Sequence, residues 1–264
     1  MKKRTVFMQA AVVLGLWQVA FGQVSERVVD VTARPGVTQR FLLLTPEKPK
    51  AAVILFAGGN GRLGISQDGS IRFLSGNFLV RARRLFTDKG LTVAVVDAPS
   101  DRQGLTLKGF RQTPQHVADI KAVIAWLKQQ SGLPVWLVGT SHGTQSAAFV
   151  ATELSGSQGG PDGLVLTSTI LFDDREPPAV PQMPLQRLAI PVLVIHHEQD
   201  GCRLCPFTAI SGLMRELDGA PRKSLISVRG GENRGDPCEA FAYHGFNGLE
   251  KDVVAKIADW IYAK

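Results

Sequence analysis

Positions 51–57 form a continuous apolar run that empties into Gly58-Gly59-Asn60-Gly61. This predicts a strand buried on both faces, followed by a loop too rich in glycine to be regular. Upstream, 27–33 and 38–44 alternate or run apolar around Arg34-Pro35-Gly36-Val37, the pattern of an antiparallel hairpin. Downstream, 78–85 has helical spacing that puts Arg81, Arg83 and Arg84 outward and ends at Lys89-Gly90, and 91–96 reads as a strand. A long amphipathic helix opens at Thr113-Pro114 and runs through Lys128, with Val117, Ile120, Val123, Ile124 and Leu127 on one face. Thr113 suits its N-cap and Pro114 its first turn. Further strands are expected at 134–138, 163–167, 191–197 and 224–228, and helices at 145–154, 210–217 and 249–262, with a proline-rich segment at 173–189. Apolar strands alternating with helices predict an α/β fold with a mainly parallel central sheet, helices on both faces and an N-terminal antiparallel hairpin.

Composition adds an address to this picture. The 264 residues, 44% hydrophobic and 20% charged, suit one globular domain. Lys2-Lys3-Arg4, the apolar stretch 5–21 and the small residues of Ala20-Phe21-Gly22 read as a signal peptide over residues 1–22, cut before Gln23; residues 23–264 are then the mature domain, periplasmic or secreted. The competing reading is an uncleaved membrane anchor; with cleavage, no stable membrane insertion is expected. Removing the three cationic residues lowers the formal charge from +7 to +4, with 27 basic residues left against 23 acidic. No basic block or aromatic-interleaved basic stripe remains, so nucleic acid is a poor partner. Nothing in the pattern fixes an oligomeric state.

Gly139-x-Ser141-x-Gly143 stands between the strand expected before it and the helix expected after it. Such a strand-to-helix turn exposes a serine hydroxyl, with small flanking residues letting the turn close. Serine is a weak nucleophile until a base, itself oriented by a carboxylate, takes its proton. Of five histidines, His116 is expected to be solvated or partly packed on the long helix. His142 follows the serine and leaves the turn in another direction. His196 and His197 end a strand, and one of them is expected in the core. His244, in the loop Tyr243-His-Gly-Phe246 before the last helix, is the expected base. Asp200, followed by Gly201 just past the strand 191–197, is the expected acid; Asp173 and Asp174, on a longer polar segment, are its rivals.

With the order Ser141, Asp200, His244 in hand, the chain resembles the α/β-hydrolase superfamily over nearly all of its mature length. More narrowly, it resembles a group of exported bacterial hydrolases of unassigned substrate with similar Asp97-Ala-Pro-Ser-Asp-Arg102 and Tyr243-His-Gly-Phe246 stretches. The resemblance implies an oxyanion hole made by the backbone N–H of His142 and by an N–H of the glycine-rich loop, at Gly59 or Asn60. Where the lipase-type pattern has histidine before its glycines this chain has Ala57, and Asn60 interrupts them, which leaves two candidates for the second donor. The expected activity is hydrolysis of a small-molecule carboxylic ester through an acyl-serine, without a cofactor. Amide or thioester cleavage on the same residues, and a non-enzymatic binding protein on the same fold, are the alternatives.

Three cysteines late in an exported chain predict one disulfide and one spare thiol. Cys202–Cys238 is the expected pair, because it ties the Asp200 loop to the segment leading to His244; Cys205–Cys238 is the alternative. His196, His197, Asp200, Cys202 and Cys205 invite a zinc reading, but their spacing is irregular and no metal is expected. Asp97 to Arg102 reads either as a substrate-contacting loop or as an internal acid–arginine pair that stiffens it, and Arg111 carries the same ambiguity. The few residues between the strands 163–167 and 191–197 leave room only for a small lid.

Overall fold

A computed structural model describes residues 24–156, 159–173 and 178–263. The expected signal segment and Asp174 lie outside the described residues. The hairpin forms as β1 (Ser25–Arg34) and β2 (Val37–Thr45), paired antiparallel around Gly36, whose φ of +72° suits a residue without a Cβ. β3 (Ala51–Phe56) has all six residues buried. Then come α1 (Phe78–Arg81), α2 (Arg83–Asp88), β4 (Leu91–Val96), α3 (Pro114–Ser131), β5 (Val135–Thr140) and α4 (Gly143–Leu154). The chain closes with β6 (Gly163–Thr167), β7 (Val192–His197), α5 (Ile210–Glu216), β8 (Lys223–Val228) and α6 (Glu250–Tyr262).

The sheet has eight strands in the order β1-β2-β4-β3-β5-β6-β7-β8, antiparallel through β1, β2 and β4 and parallel from there to β8. This is the α/β-hydrolase fold. Because successive side chains of a strand face opposite ways, β3 feeds two cores. Ala52, Ile54 and Phe56 join the layer with Ile120, Val123 and Leu127 of α3, Ala147 and Val150 of α4 and Leu213 of α5. Ala51, Val53 and Leu55 join the opposite layer, with Phe78, Phe86 and Val253, Ile257 and Ile261 of α6.

The chain leaves β3 toward β4 on one face and later leaves β5 into α4 on the other. The order reverses between these neighbours, and a crevice opens there at their carboxyl ends, where α/β folds place their ligands. The loop after β3 and the turn after β5 form its two lips.

Two expectations about the helices change in detail. The segment 78–85 is two short helices, broken at Ala82 (φ −87°, ψ −1°). Arg81 does not face outward: it donates to Gly76 O (2.6 Å), Gly245 O (2.7 Å) and Glu250 Oε1 (2.9 Å). α3 begins as expected, with Thr113 Oγ1 accepting from His116 N–H at 3.2 Å and Pro114 in the first turn.

Candidate active site

Ser141 has φ +52°, a left-handed conformation that costs a non-glycine residue free energy and that only a well-determined surrounding maintains. The surroundings are tight. A Cβ on Gly143 would sit 2.1 Å from Phe56 O, one on Gly139 2.5 Å from Gly143 O, and one on Gly58 2.9 Å from Ser141 Cβ. The glycines of the motif are therefore required by close packing, Gly143 against the end of β3 and Gly139 against the first turn of α4. Ser141 N–H donates to Thr167 O (3.1 Å), while its carbonyl accepts from Thr144 N–H (2.8 Å) and Thr144 Oγ1 (2.6 Å). These bonds hold the turn so that Ser141 lines a cavity of about 830 Å³.

Asp200 and His244 meet beside it. Asp200 Oδ1 accepts from Cys202 N–H at 2.9 Å, and Oδ2 faces His244 Nδ1 at 2.9 Å, with the carboxylate fully enclosed. His244 is 4% exposed and lines the Ser141 cavity, and its Nε2 has no hydrogen-bond partner among the described residues. Its backbone is pinned too: Ser168 Oγ donates to His244 O at 2.6 Å, and Phe246 turns the chain into α6 with φ +53°. Gly245 packs so closely that a Cβ would lie 1.9 Å from Ala240 O. Cys202 and Cys238 form a disulfide across a separation of 36 residues and both line the cavity. Cys205 keeps a buried thiol, which donates to Ser168 O (3.4 Å) and which burial pushes well above its ordinary pKa.

The other expected residues fall in the cavity, in the core or, for Asp173, on the exposed surface. Gly59, Asn60 and His142 line the cavity beside Ser141; the His142 ring itself turns aside, Nδ1 bonding Gln145 Oε1 at 2.9 Å. Asp173, the rival acid, accepts from Ala179 N–H and Gln182 Nε2 and does not line the cavity. Both His196 and His197 are buried, where one was expected. Their Nε2 atoms bond the carbonyls of Cys205 (2.7 Å) and Gly230 (2.9 Å), and His197 stacks on Tyr243 at 4.3 Å. Ligand atoms of Cys202, Cys205 and His244 lie within 4.8 Å of one another, but the Cys202 sulfur is bound in the disulfide and His244 Nδ1 faces Asp200.

His116 is not solvated but 2% exposed, set edge-on to Phe56 and Phe110. Burial, reinforced by the nearby Arg111 and Arg34 charges, lowers its pKa to about 3. Asp97 takes neither role considered for it. Its carboxylate accepts from the backbone N–H of Leu63, Gly64, Ile65 and Ala98, which ties down the long loop after β3. Arg102 lies over the Phe110 ring at 4.7 Å.

The cavity walls were missed by the sequence pattern. They come from residues 74–78 and from 234–241, including Leu74, Phe78 and Phe241, while the described residues of 168–191 contribute nothing to the lining. Connection length alone did not single them out, since the connections after β3 and β8 are long but so is the one after β6.

No protein-family model matches the sequence, and no curated protein does. Solved structures match in fold. A dienelactone hydrolase from Anabaena variabilis superposes with a TM-score of 0.64 at 16% identity, over 90% of this chain and 97% of that one. An esterase from Pyrococcus furiosus gives 0.63 at 12% identity, over 94% and 95%. A cold-adapted esterase from an Arctic intertidal metagenomic library gives 0.59 at 17% identity, over 89% and 94%. At such identities the likeness establishes the shared α/β-hydrolase fold.

Proposed function

We propose that this protein is an exported serine hydrolase that cleaves carboxylic esters of small molecules. One observation carries the reading: Ser141, strained at the turn after β5, shares a cavity with the unpartnered Nε2 of a histidine whose Nδ1 faces the enclosed Asp200. Asp200 holds His244 in the tautomer with hydrogen on Nδ1, so Nε2 has its lone pair free to take the Ser141 proton as Oγ attacks the ester carbonyl. The carbonyl oxygen becomes an alkoxide, stabilised by His142 N–H and an N–H of the glycine-rich loop. On collapse His244 returns the proton to the leaving alkoxide, which departs as the alcohol. Water, deprotonated by the same Nε2, then attacks the acyl-serine, and on collapse His244 returns that proton to the departing Ser141 Oγ as the acid is released. The apolar side chains of Leu74, Phe78, Leu204 and Phe241 offer a surface for the acyl or alcohol part. That solved esterases share the fold supports the choice of ester, and the Cys202–Cys238 disulfide supports an oxidising location outside the cytoplasm.

The test pairs activity with labelling. Wild type should hydrolyse short chromogenic esters and take up one fluorophosphonate on Ser141, and Ser141→Ala should lose at least about 10³-fold in kcat. Full esterase activity in Ser141→Ala refutes the proposal.

A further inference from the structure

Arg111 is 2% exposed, so a full positive charge sits inside the protein, a position that only well-placed acceptors make tolerable. Nη2 donates to Gly59 O at 2.9 Å and Nη1 to Ser146 Oγ, on α4, at 3.1 Å. The guanidinium fills space that the loop leaves for it: a Cβ on Gly61 would lie 2.6 Å from Nη2. What it grips is a tight turn. Gly61 N–H donates to Gly58 O at 3.2 Å, Gly59 stands at the first corner with φ +56°, and Asn60 at the second keeps a negative φ.

A trans peptide sends its C=O and the following N–H in opposite directions. Anchoring the Gly59 carbonyl on Arg111 therefore aims the Asn60 N–H away from the guanidinium. A turn of this kind has a sister form in which the middle peptide is rotated by about 180° and the second corner takes positive φ. Asparagine tolerates that conformation better than most residues, so the loop by itself does little to forbid the flip. We infer that Arg111 is a positioning residue, which locks the Gly59–Asn60 peptide so that the Asn60 N–H serves as the second oxyanion donor. The inference rests on the serine-hydrolase reading and selects Asn60 over Gly59.

Arg111→Met removes both donors while keeping an unbranched chain. It should lower kcat by about 10- to 100-fold with KM within about twofold, less than direct loss of an oxyanion donor. Affinity for an alkyl boronic acid, which forms a tetrahedral anionic adduct on serine, should fall by the same factor. Affinity for the carboxylate product should stay unchanged. Equal losses for both ligands in a folded variant, or wild-type kcat, overturn the inference. If thermal unfolding shows Arg111→Met to be unfolded, Ser146→Ala, which removes the acceptor of Nη1, decides. It should show the same selective loss at about two- to fivefold, and an unselective loss or none overturns the inference. Wild type that fails to label with fluorophosphonate refutes instead the underlying serine-hydrolase reading, independently of Arg111.

Discussion

Replacing Asp200 with asparagine changes one atom of the site, and the surrounding hydrogen bonds dictate how the new side chain must sit. Oδ1 accepts from the backbone N–H of Cys202 at 2.9 Å, and that donor cannot turn away. The amide of Asp200→Asn must therefore put its oxygen there and its NH2 where Oδ2 now faces His244 Nδ1 at 2.9 Å. Facing a donor, Nδ1 must accept, so the ring proton moves to Nε2 and the lone pair that should take the Ser141 proton is gone. Loss of the correct tautomer is worth about 10⁴-fold in kcat, or about 5.5 kcal/mol of transition-state stabilisation. Size and burial are conserved, so KM and the unfolding temperature should move little. The assay is initial-rate kinetics on a short chromogenic ester between pH 6 and 9, with thermal unfolding on the same samples. Asp173→Asn is the control, and should stay within about twofold because Asp173 bonds only its own loop in the described structure. A folded Asp200→Asn enzyme that keeps more than about a tenth of wild-type kcat refutes the assignment of Asp200 as the orienting acid.

Two predictions concern stability. The Cys202–Cys238 bridge spans 36 residues, for which the chain-entropy relation gives about 4 kcal/mol; the Cys202→Ser, Cys238→Ser double variant should melt about 8–16 °C lower, and a shift under about 2 °C in a calorimetric scan contradicts this. His116 has its pKa lowered to about 3 by burial, so between pH 6.5 and 3 the unfolded chain binds a proton that the folded chain refuses. Its contribution is intact above the unfolded value of about 6.5 and is lost on acidification, at about 1.4 kcal/mol per pH unit. His116→Leu should remove one proton from the acid slope of unfolding free energy measured in urea at pH 4, 5 and 7. Equal slopes in the two proteins would show that His116 titrates normally.

Periodicity carried most of the fold, because strand and helix repeats come from local covalent geometry and from which side chains avoid water. The hairpin, the buried strands, the Thr113 cap and the closing helix α6 all lie within a few residues of where the pattern puts them. The order of Ser141, Asp200 and His244 was legible for a related reason: in a parallel sheet, loops that leave the strands gather at one edge, so their places along the chain imply their places in space. Contacts between distant segments were not legible, since a side chain carries no mark of its long-range partner. Arg81 looked like a solvent-facing helix residue, yet it ties the Gly76 wall to the carbonyl beside His244. Asp97 looked like half of an ion pair, yet it satisfies four backbone N–H groups. His116 and Arg111 sit deep in the protein although histidine and arginine usually reach water. Local patterning was enough for the layers of the fold and for the three residues brought to the edge of the sheet. What holds those residues in place was settled only by folding, because burial and hydrogen-bond satisfaction depend on segments that meet only in the folded chain.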